Sequence, residues 1–139
     1  MDYKELELNL KYGRACLRDC LLRGEAPFAS HLIYTQEGVL DDKDRAEREL
    51  GIEAGLAWGS KAEITAVYVD LIDDWRFFSG IVKGIQSARK ASRPVEFRNL
   101  PDNVLLRIHL PALERRRNLN ELLNELEEFI SKNNPLQIS

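Results

Sequence analysis

The side chains best suited to bind a ligand follow segments that we predict to be β-strands. Tyr34, Thr35 and Gln36 lie at the end of the first of these segments, Asp70 ends the second, and Arg98 and Asn99 lie at the end of the third. Ligands of open parallel sheets bind beyond the carboxyl ends of the strands. We therefore expect these six side chains to contribute to one ligand-binding site.

Two carboxylates are the candidate catalytic groups. Asp70 would bind ribose hydroxyls or act as an acid or base, and the structural alternative is a cap or an ion pair. Glu53 lies beside Gly51, Ala54 and Gly55 on a helix that we expect to pack against the sheet. A carboxylate in that position is unfavourable unless it has a partner or faces a cleft.

The helix predicted to begin at Ser79 and Gly80 offers free N–H groups, which suit a phosphate or carboxylate as well as they suit water. His31 is a further ligand-binding candidate, and its alternative is a hydrogen-bonded core histidine. Ser30 and His31 would point to opposite faces of a strand, so they cannot form a nucleophile and base pair. The sequence contains no glycine-rich phosphate loop and no CxxC, HExxH or GxSxG motif.

Cys16 and Cys20 share one helix face at i,i+4 spacing, so one metal ion could in principle bind both thiols. No further ligand with suitable spacing accompanies them, and both are surrounded by Leu and Ala residues. We expect two buried free thiols in a reducing compartment. The sequence therefore predicts neither a metal site nor a cofactor.

The composition excludes several classes of protein. The 139 residues carry a net charge of −3, and the densest basic run, Arg115 to Arg117, points around a helix. We therefore expect a solvated surface there and no nucleic-acid partner. No apolar run approaches the roughly 20 residues of a membrane-spanning helix, and the N-terminus lacks the apolar region of a signal peptide. These features predict a cytoplasmic protein without a membrane partner.

Hydrophobic periodicity predicts an alternation of helices and short strands, which favours a parallel sheet with crossover helices. The predicted helices span residues 4–23, 41–58, 79–91 and 119–130, and the predicted strands span residues 28–35, 63–71, 94–98 and 104–110. A short turn precedes the last strand, which is therefore expected to pair antiparallel. The chain length fits one compact unit, which we divide into residues 1–100 and a strand and helix extension, residues 101–139, packed on it.

Aromatic side chains lie in two further places. Trp58 is expected to belong to the core, because it continues the apolar stripe of the second predicted helix. The cluster from Trp75 to Phe78 falls in a predicted loop, where it suggests either a lid or a subunit contact.

Several blocks of the chain resemble a known family over about residues 9–100. They read RACLRDCLLRGEAPFASHLIYTQEGVLDD, ERELGIEAGLAWGSKAE, VYVDL, SGIVKGI and GIQSARKASRPVEFRNL. They are similar to an uncharacterised bacterial and phage domain family related to nucleoside 2-deoxyribosyltransferases. The resemblance implies a flavodoxin-like or Rossmann-like three-layer sandwich and a nucleoside- or nucleotide-derived ligand. It also implies glycosidic chemistry by a glutamate nucleophile, aided by an aspartate and a tyrosine.

The chain departs from that family in three respects. The family's first strand and its Ser-Pro-Tyr-like loop are missing, and Tyr3 stands near the place of the loop tyrosine. The SGIVKGI segment has no glutamate where transferases carry the nucleophile, and the IDDWRFF segment lengthens the preceding loop. We hypothesise that strand 104–110 fills the gap in the sheet, in cis or by exchange between subunits. The alternative is a start codon further upstream.

Three functions are compatible with these features. The expected one is binding of a nucleoside- or nucleotide-derived molecule with weak or no glycosidic catalysis, for example phage-type sequestration of a nucleotide signal. The alternatives are an N-glycosidase or deoxyribosyltransferase, and a scaffold or interaction module without a ligand. Repair of the sheet and the apolar stripe of residues 119–130 make a homodimer the expected assembly.

Overall fold

The computed structural model describes residues 3–108 and 116–133, and of Tyr3 the backbone alone. Its elements are α1 (Tyr3–Leu22), α2 (Ser30–Tyr34), α3 (Arg45–Gly59), β1 (Thr65–Tyr68), a 3₁₀ turn (Trp75–Phe77), α4 (Ser79–Lys90), β2 (Val95–Arg98), α5 (Asp102–Ile108) and α6 (Leu119–Asn133). The fold is a mixed α/β one, as the sequence predicts. None of the helices in the described ranges is both long and apolar enough to cross a membrane.

The sheet of the described residues has two parallel strands. β1 and β2 pair in register from Thr65 opposite Val95 to Tyr68 opposite Arg98. Helix α4 connects them, as a crossover helix between parallel strands must. The prediction of parallel strands joined by a helix is therefore confirmed for these two strands.

The hydrophobic core lies on one face of this sheet. Val67 and Val69 pack there with Val82 and Ile85 of α4 and with two leucines of α6, Leu122 and Leu126. Trp75 completes this core, since its side chain is 2 % exposed and its Nε1 donates to the backbone oxygen of Leu122 at 2.8 Å. The 3₁₀ turn therefore ties the end of β1 to α6.

The lid and subunit-contact hypotheses are wrong for Trp75, because a buried ring can serve neither role. Phe77, two residues further along, is 74 % exposed. The core prediction for Trp58 is also wrong. Its side chain is 56 % exposed and lies 5.2 Å from the ring of Phe28.

Two predicted strands are helices. The segment 28–35 contains α2, and the segment 104–110 lies within α5 up to Ile108, while residues 109 and 110 lie outside the described ranges. Short apolar runs fit either structure, and a helix satisfies its backbone hydrogen bonds without a neighbouring strand. In α5, Leu105 is fully buried whereas Leu106 is 44 % exposed. The hypothesis that strand 104–110 repairs the sheet is therefore wrong.

Two glycines allow α2 to approach its neighbouring helices closely. A Cβ atom on Gly13 of α1 would lie 3.1 Å from the side chain of Leu32, and one on Gly55 of α3 would lie 2.5 Å from Oγ of Ser30. Rotation of the Ser30 hydroxyl would relieve the second contact only in part, because Cβ of Ser30 is itself 3.0 Å away. The short α2 is thus seated against both α1 and α3.

We predict opposite effects of alanine at two helical glycines. Gly84→Ala in α4 meets no atom within 4 Å, so it should stabilise the protein by about 0.5–1 kcal/mol through helix propensity. Gly55→Ala should instead destabilise it by about 1–2 kcal/mol, because overpacking against Ser30 exceeds that gain. Urea unfolding of both variants measures the difference. Equal stabilisation by both would contradict the close contact between α2 and α3.

Candidate functional site

Asp70 follows β1 and lies at the centre of a buried polar cluster. Its Oδ2 accepts hydrogen bonds from the Tyr12 hydroxyl at 2.7 Å and from the backbone N–H of Leu100 at 2.9 Å. Its Oδ1 lies 3.2 Å from Nη2 of Arg116. The residue is 4 % exposed, so these protein groups must replace the water that a carboxylate loses on burial.

Tyr12 of α1 makes two hydrogen bonds with this one residue. Besides donating to the carboxylate, its hydroxyl oxygen accepts a hydrogen bond from the backbone N–H of Asp70 at 3.1 Å. The preceding N–H, that of Val69, donates to Arg98 on β2, so the N–H of Asp70 points to the other edge of β1. Burial raises the pKa of Tyr12, so the phenol keeps its proton for Asp70. Tyr12 thereby caps the open edge of the strand.

Arg116 approaches the cluster from the segment just before α6. Its Nη1 donates to Oδ1 of Asp102 at 2.8 Å, and its Nη2 donates to the backbone oxygen of Leu100 at 3.3 Å. The expectation of a solvated surface is wrong for this residue, since its side chain is 24 % exposed. Its neighbour Arg117 is 27 % exposed and binds Glu125, whereas Arg115 lies outside the described residues.

Three buried side-chain atoms within the described ranges have no hydrogen-bond partner. They are Oδ1 of Asp70, Oδ1 of Asn99 and Nε of Arg116. Asp70 and Asn99 come just after the ends of β1 and β2, and Arg116 is in contact with Asp70. Native proteins leave few such atoms unpaired without water, an ion or a functional reason. The carboxyl-terminal edge of the sheet therefore has unused capacity for hydrogen bonds.

Arg98, a predicted ligand-binding residue, is buried among carboxylates. Its two Nη atoms donate to Glu25 at 2.7 and 2.6 Å, and its Nε donates to Glu96 at 3.0 Å. Its guanidinium also lies 5.8 Å from the ring centroid of Tyr68. The hydrogen bonds from Arg98 hold the pKa of Glu25 below its ordinary value. These contacts give Arg98 a structural role, linking the chain after α1 to β2.

The four predicted binding residues near α2 do not join this cluster. His31 and Gln36 are exposed. The Thr35 hydroxyl donates to the backbone oxygen of His31, and the Gln36 amide donates to a nearby backbone oxygen. The ring of Tyr34 lies 6.4 Å from that of Phe28. In the described part of the chain, none of the four has a side-chain hydrogen bond to Asp70.

The aromatic contacts near α2 connect to the start of β1 through Trp58 and Arg93. Phe28 contacts Trp58, and a Cβ atom on the next residue, Gly59, would lie 3.8 Å from Nη2 of Arg93. Nε of Arg93 donates to Oγ1 of Thr65, the first residue of β1. Asp70 lies five residues further, or roughly 16 Å along an extended strand. These contacts connect the region of α2 and α3 with the start of β1, whereas Asp70 follows the end of that strand.

The remaining predicted residues lie on α3 and at the start of α4. Glu53 is exposed, so its carboxylate is solvated and needs neither a buried partner nor a cleft. Ser79 is exposed and begins α4, whose N-cap makes no side-chain hydrogen bond. A Cβ atom on Gly80 would lie 4.0 Å from Ile52 of α3. The first turn of α4 therefore packs close to α3.

Both cysteines are free thiols, and Cys20 is buried whereas Cys16 is half-buried. Burial raises the pKa of the Cys16 thiol to about 12, and its hydrogen bond with Tyr12 opposes this effect. No group of three or more metal-ligating side chains occurs among the residues that the structure describes. Within those limits, the structure offers these thiols no metal site.

A surface depression lies between the 3₁₀ turn and α6, with Arg117 in its lining. It is open to solvent, with a volume of about 500 Å³. The charged groups that line it mostly pair with each other, as Arg76 does with Asp74 at 2.6 Å and Arg117 does with Glu125 at 2.5 Å. Such a surface offers few unpaired groups to orient a small ligand.

Sequence reasoning missed two residues of the Asp70 cluster, Tyr12 and Arg116. Tyr12 shares the helix face of Cys16 and Cys20, and a polar residue on that face was a usable signal. Asn99 was expected at this edge together with Arg98, because it follows a predicted strand. Arg116 had no such signal, because only the tertiary fold brings it to Asp70.

We predict that Tyr12→Phe destabilises the fold by about 1–3 kcal/mol, because it leaves a buried carboxylate and a backbone N–H without their shared partner. Tyr34→Phe is the matched control, since the Tyr34 hydroxyl has no hydrogen bond among the described residues, and should change stability by less than about 0.5 kcal/mol. Urea unfolding at constant m-value measures both. Similar losses in the two variants would contradict the assigned role of Tyr12.

We also predict that stability falls as the pH rises from about 8 to about 10. Burial raises the pKa values of Cys16, Tyr12 and Tyr68 in the folded protein. The unfolded chain releases these protons at lower pH than the folded chain, so alkaline conditions favour unfolding. Urea unfolding across this range should show a shallower decline for Cys16→Ala. An identical decline in both proteins would contradict the burial of this thiol.

Comparison with known proteins assigns the chain to a family without assigning an activity. A family model described as "Domain of unknown function (DUF7768)" matches residues 3–98, which include Tyr12, Asp70 and Arg98 but not Arg116. No curated protein matches the chain, and no solved structure matches it. Because the match spans more than half of its 139 residues, the chain belongs to the DUF7768 family of domains of unknown function.

Proposed function

We propose that this domain binds a nucleoside- or nucleotide-derived small molecule at the carboxyl-terminal edge of β1 and β2, with weak or no glycosidic catalysis. The observation that carries the proposal is the set of buried atoms without hydrogen bonds, on Asp70, Asn99 and Arg116. Two of these atoms are acceptors and one is a donor. The hydroxyl groups of a ribose can supply both kinds of partner.

The position of these atoms also supports the proposal. Parallel strands direct their ligands to the carboxyl ends, and Asp70 and Asn99 come just after the two strand ends. The parallel pair with its crossover helix is compatible with a flavodoxin-like, three-layer arrangement, which the resemblance to deoxyribosyltransferase-like domains implies. We include this three-layer arrangement of the domain in the proposal.

The contacts of Asp70 favour binding over catalysis. Its Oδ2 already holds two hydrogen bonds, and its Oδ1 faces a guanidinium. A carboxylate whose oxygens are engaged in this way is poorly placed to attack a substrate or to exchange a proton with it. The second candidate carboxylate, Glu53, is exposed on α3. An N-glycosidase or deoxyribosyltransferase is therefore the less favoured alternative.

An interaction module is a second candidate, and the exposed aromatic residues favour it. Phe28 and Trp58 are 46 % and 56 % exposed and contact each other. Large apolar side chains that meet at a surface are a frequent feature of protein contacts. A homodimer that buries them would agree with the assembly expected from the sequence.

A thermal-shift screen tests ligand binding. The panel contains deoxynucleosides, nucleoside monophosphates, ADP-ribose and cyclic nucleotides. A ligand at 100 times its Kd stabilises the folded state by about 2.7 kcal/mol, which raises the Tm by several degrees. Chromatography of the recovered ligand distinguishes the candidates, because an N-glycosidase releases free base and a binding protein returns the ligand intact.

The variant Asn99→Ala tests the location of the site. The Asn99 side chain makes no hydrogen bond within the described residues, so the fold should persist in this variant. The affinity for a ligand found in the screen should fall about tenfold, equivalent to one hydrogen bond. Asn124→Ala, the same change at an exposed position of α6, should leave the affinity unchanged. An unshifted panel, or full affinity in Asn99→Ala, would overturn the proposed site and favour the interaction module.

A further inference from the structure

Arg116 lies outside the part of the chain that the family model matches, residues 3–98. Its guanidinium nevertheless contacts Asp70, which lies inside that part. The segment before α6 thus adds a cation to a carboxylate of the family domain. The 0 % exposure of the Asp70 side chain makes this cation significant, because a buried charge is strongly affected by its partner.

The contacts of Arg116 leave part of its hydrogen-bonding capacity unused. Its approach to Asp70, 3.2 Å between Nη2 and Oδ1, is an ion pair without a hydrogen bond, since that oxygen has no donor. Its shortest contact is with Asp102, whose side chain is 70 % exposed, and ion pairs with exposed carboxylates contribute little. Its Nε is buried without a partner. The guanidinium therefore lies close to Asp70 but has a buried N–H group, that of Nε, without a hydrogen-bond acceptor.

We propose that Arg116 determines specificity at this site and selects phosphorylated nucleosides over unphosphorylated ones. This inference rests on the proposed function, and it names the class of ligand. A ligand hydroxyl would donate to Oδ1 of Asp70, and the ligand's phosphate would accept hydrogen bonds from Nε and the neighbouring N–H groups of Arg116. Guanidinium groups bind phosphate oxygens through such charge-assisted hydrogen bonds.

Charge balance explains the selectivity. A neutral nucleoside that inserted a hydroxyl beside Asp70 would draw Arg116 away without giving it a new anion. The buried carboxylate and the guanidinium would then lose their contact with each other, which is unfavourable in a buried site. A nucleotide replaces the lost interaction, because its hydroxyl serves Asp70 and its phosphate serves Arg116. A phosphate on the ligand therefore compensates Arg116 for the loss of its contact with Asp70.

Calorimetric titration of the full chain tests this selectivity. The probes are the four 2′-deoxynucleoside 5′-monophosphates and their matching 2′-deoxynucleosides. At least one monophosphate should bind about tenfold more tightly than its nucleoside. Arg116→Gln should reduce that ratio to about one by weakening the monophosphate alone. Arg117→Gln is the matched control, because Arg117 pairs with Glu125 and not with Asp70, and this variant should keep the ratio of the unmodified protein.

The outcomes separate this inference from the proposed function. Equal affinities for both members of each pair, or an unchanged ratio in Arg116→Gln, would overturn the role of Arg116 while leaving ligand binding intact. Failure of every probe to bind the unmodified protein would overturn both proposals.

A second variant covers the case in which Arg116→Gln does not fold. Asp102→Asn removes only an exposed partner of Arg116 and should maintain or increase the preference for phosphate. A reduced ratio in that variant would contradict the inference.

Discussion

The buried Asp70 carboxylate holds together segments that are distant in the sequence. Its partners come from α1, from the chain after β2 and from the segment before α6. An ionised group with no exposed side-chain surface is tolerated only where such partners replace its water. The positions of α1 and of the segment before α6 therefore depend on one carboxylate at the end of β1.

The two faces of the sheet are stabilised by different interactions. One face packs Val67 and Val69 against apolar side chains of α4 and α6. On the other face, Tyr68 donates to Asp19 of α1 and contacts the guanidinium of Arg98. Apolar burial is non-directional, whereas hydrogen bonds require defined geometry. The polar face can therefore orient α1 against the strands with few apolar contacts.

The same polar network limits what the site can do. Two of the candidate catalytic or ligand-binding residues, Asp70 and Arg98, form ion pairs with other side chains of the protein. Two others, Glu53 and His31, are exposed to solvent. What remains for a ligand is the small set of buried atoms without partners, next to the strand ends. Under the proposed function, these atoms would serve recognition and not bond cleavage, and Arg116 would set the selectivity.

The sequence by itself determined the elements whose signals are local. The apolar periodicities of α1, α3, α4 and α6 predicted those helices, and the structure adds side-chain caps at Asp44 and Asn118 to two of them. Short apolar runs also predicted β1 and β2. The segments containing α2 and α5 were mistaken for strands, because a short apolar run becomes a strand only beside a partner. Tertiary structure alone decided that partner, the contact of Tyr12 with Asp70 and the approach of Arg116. These outcomes depend on contacts between residues far apart in the chain, which no local pattern encodes.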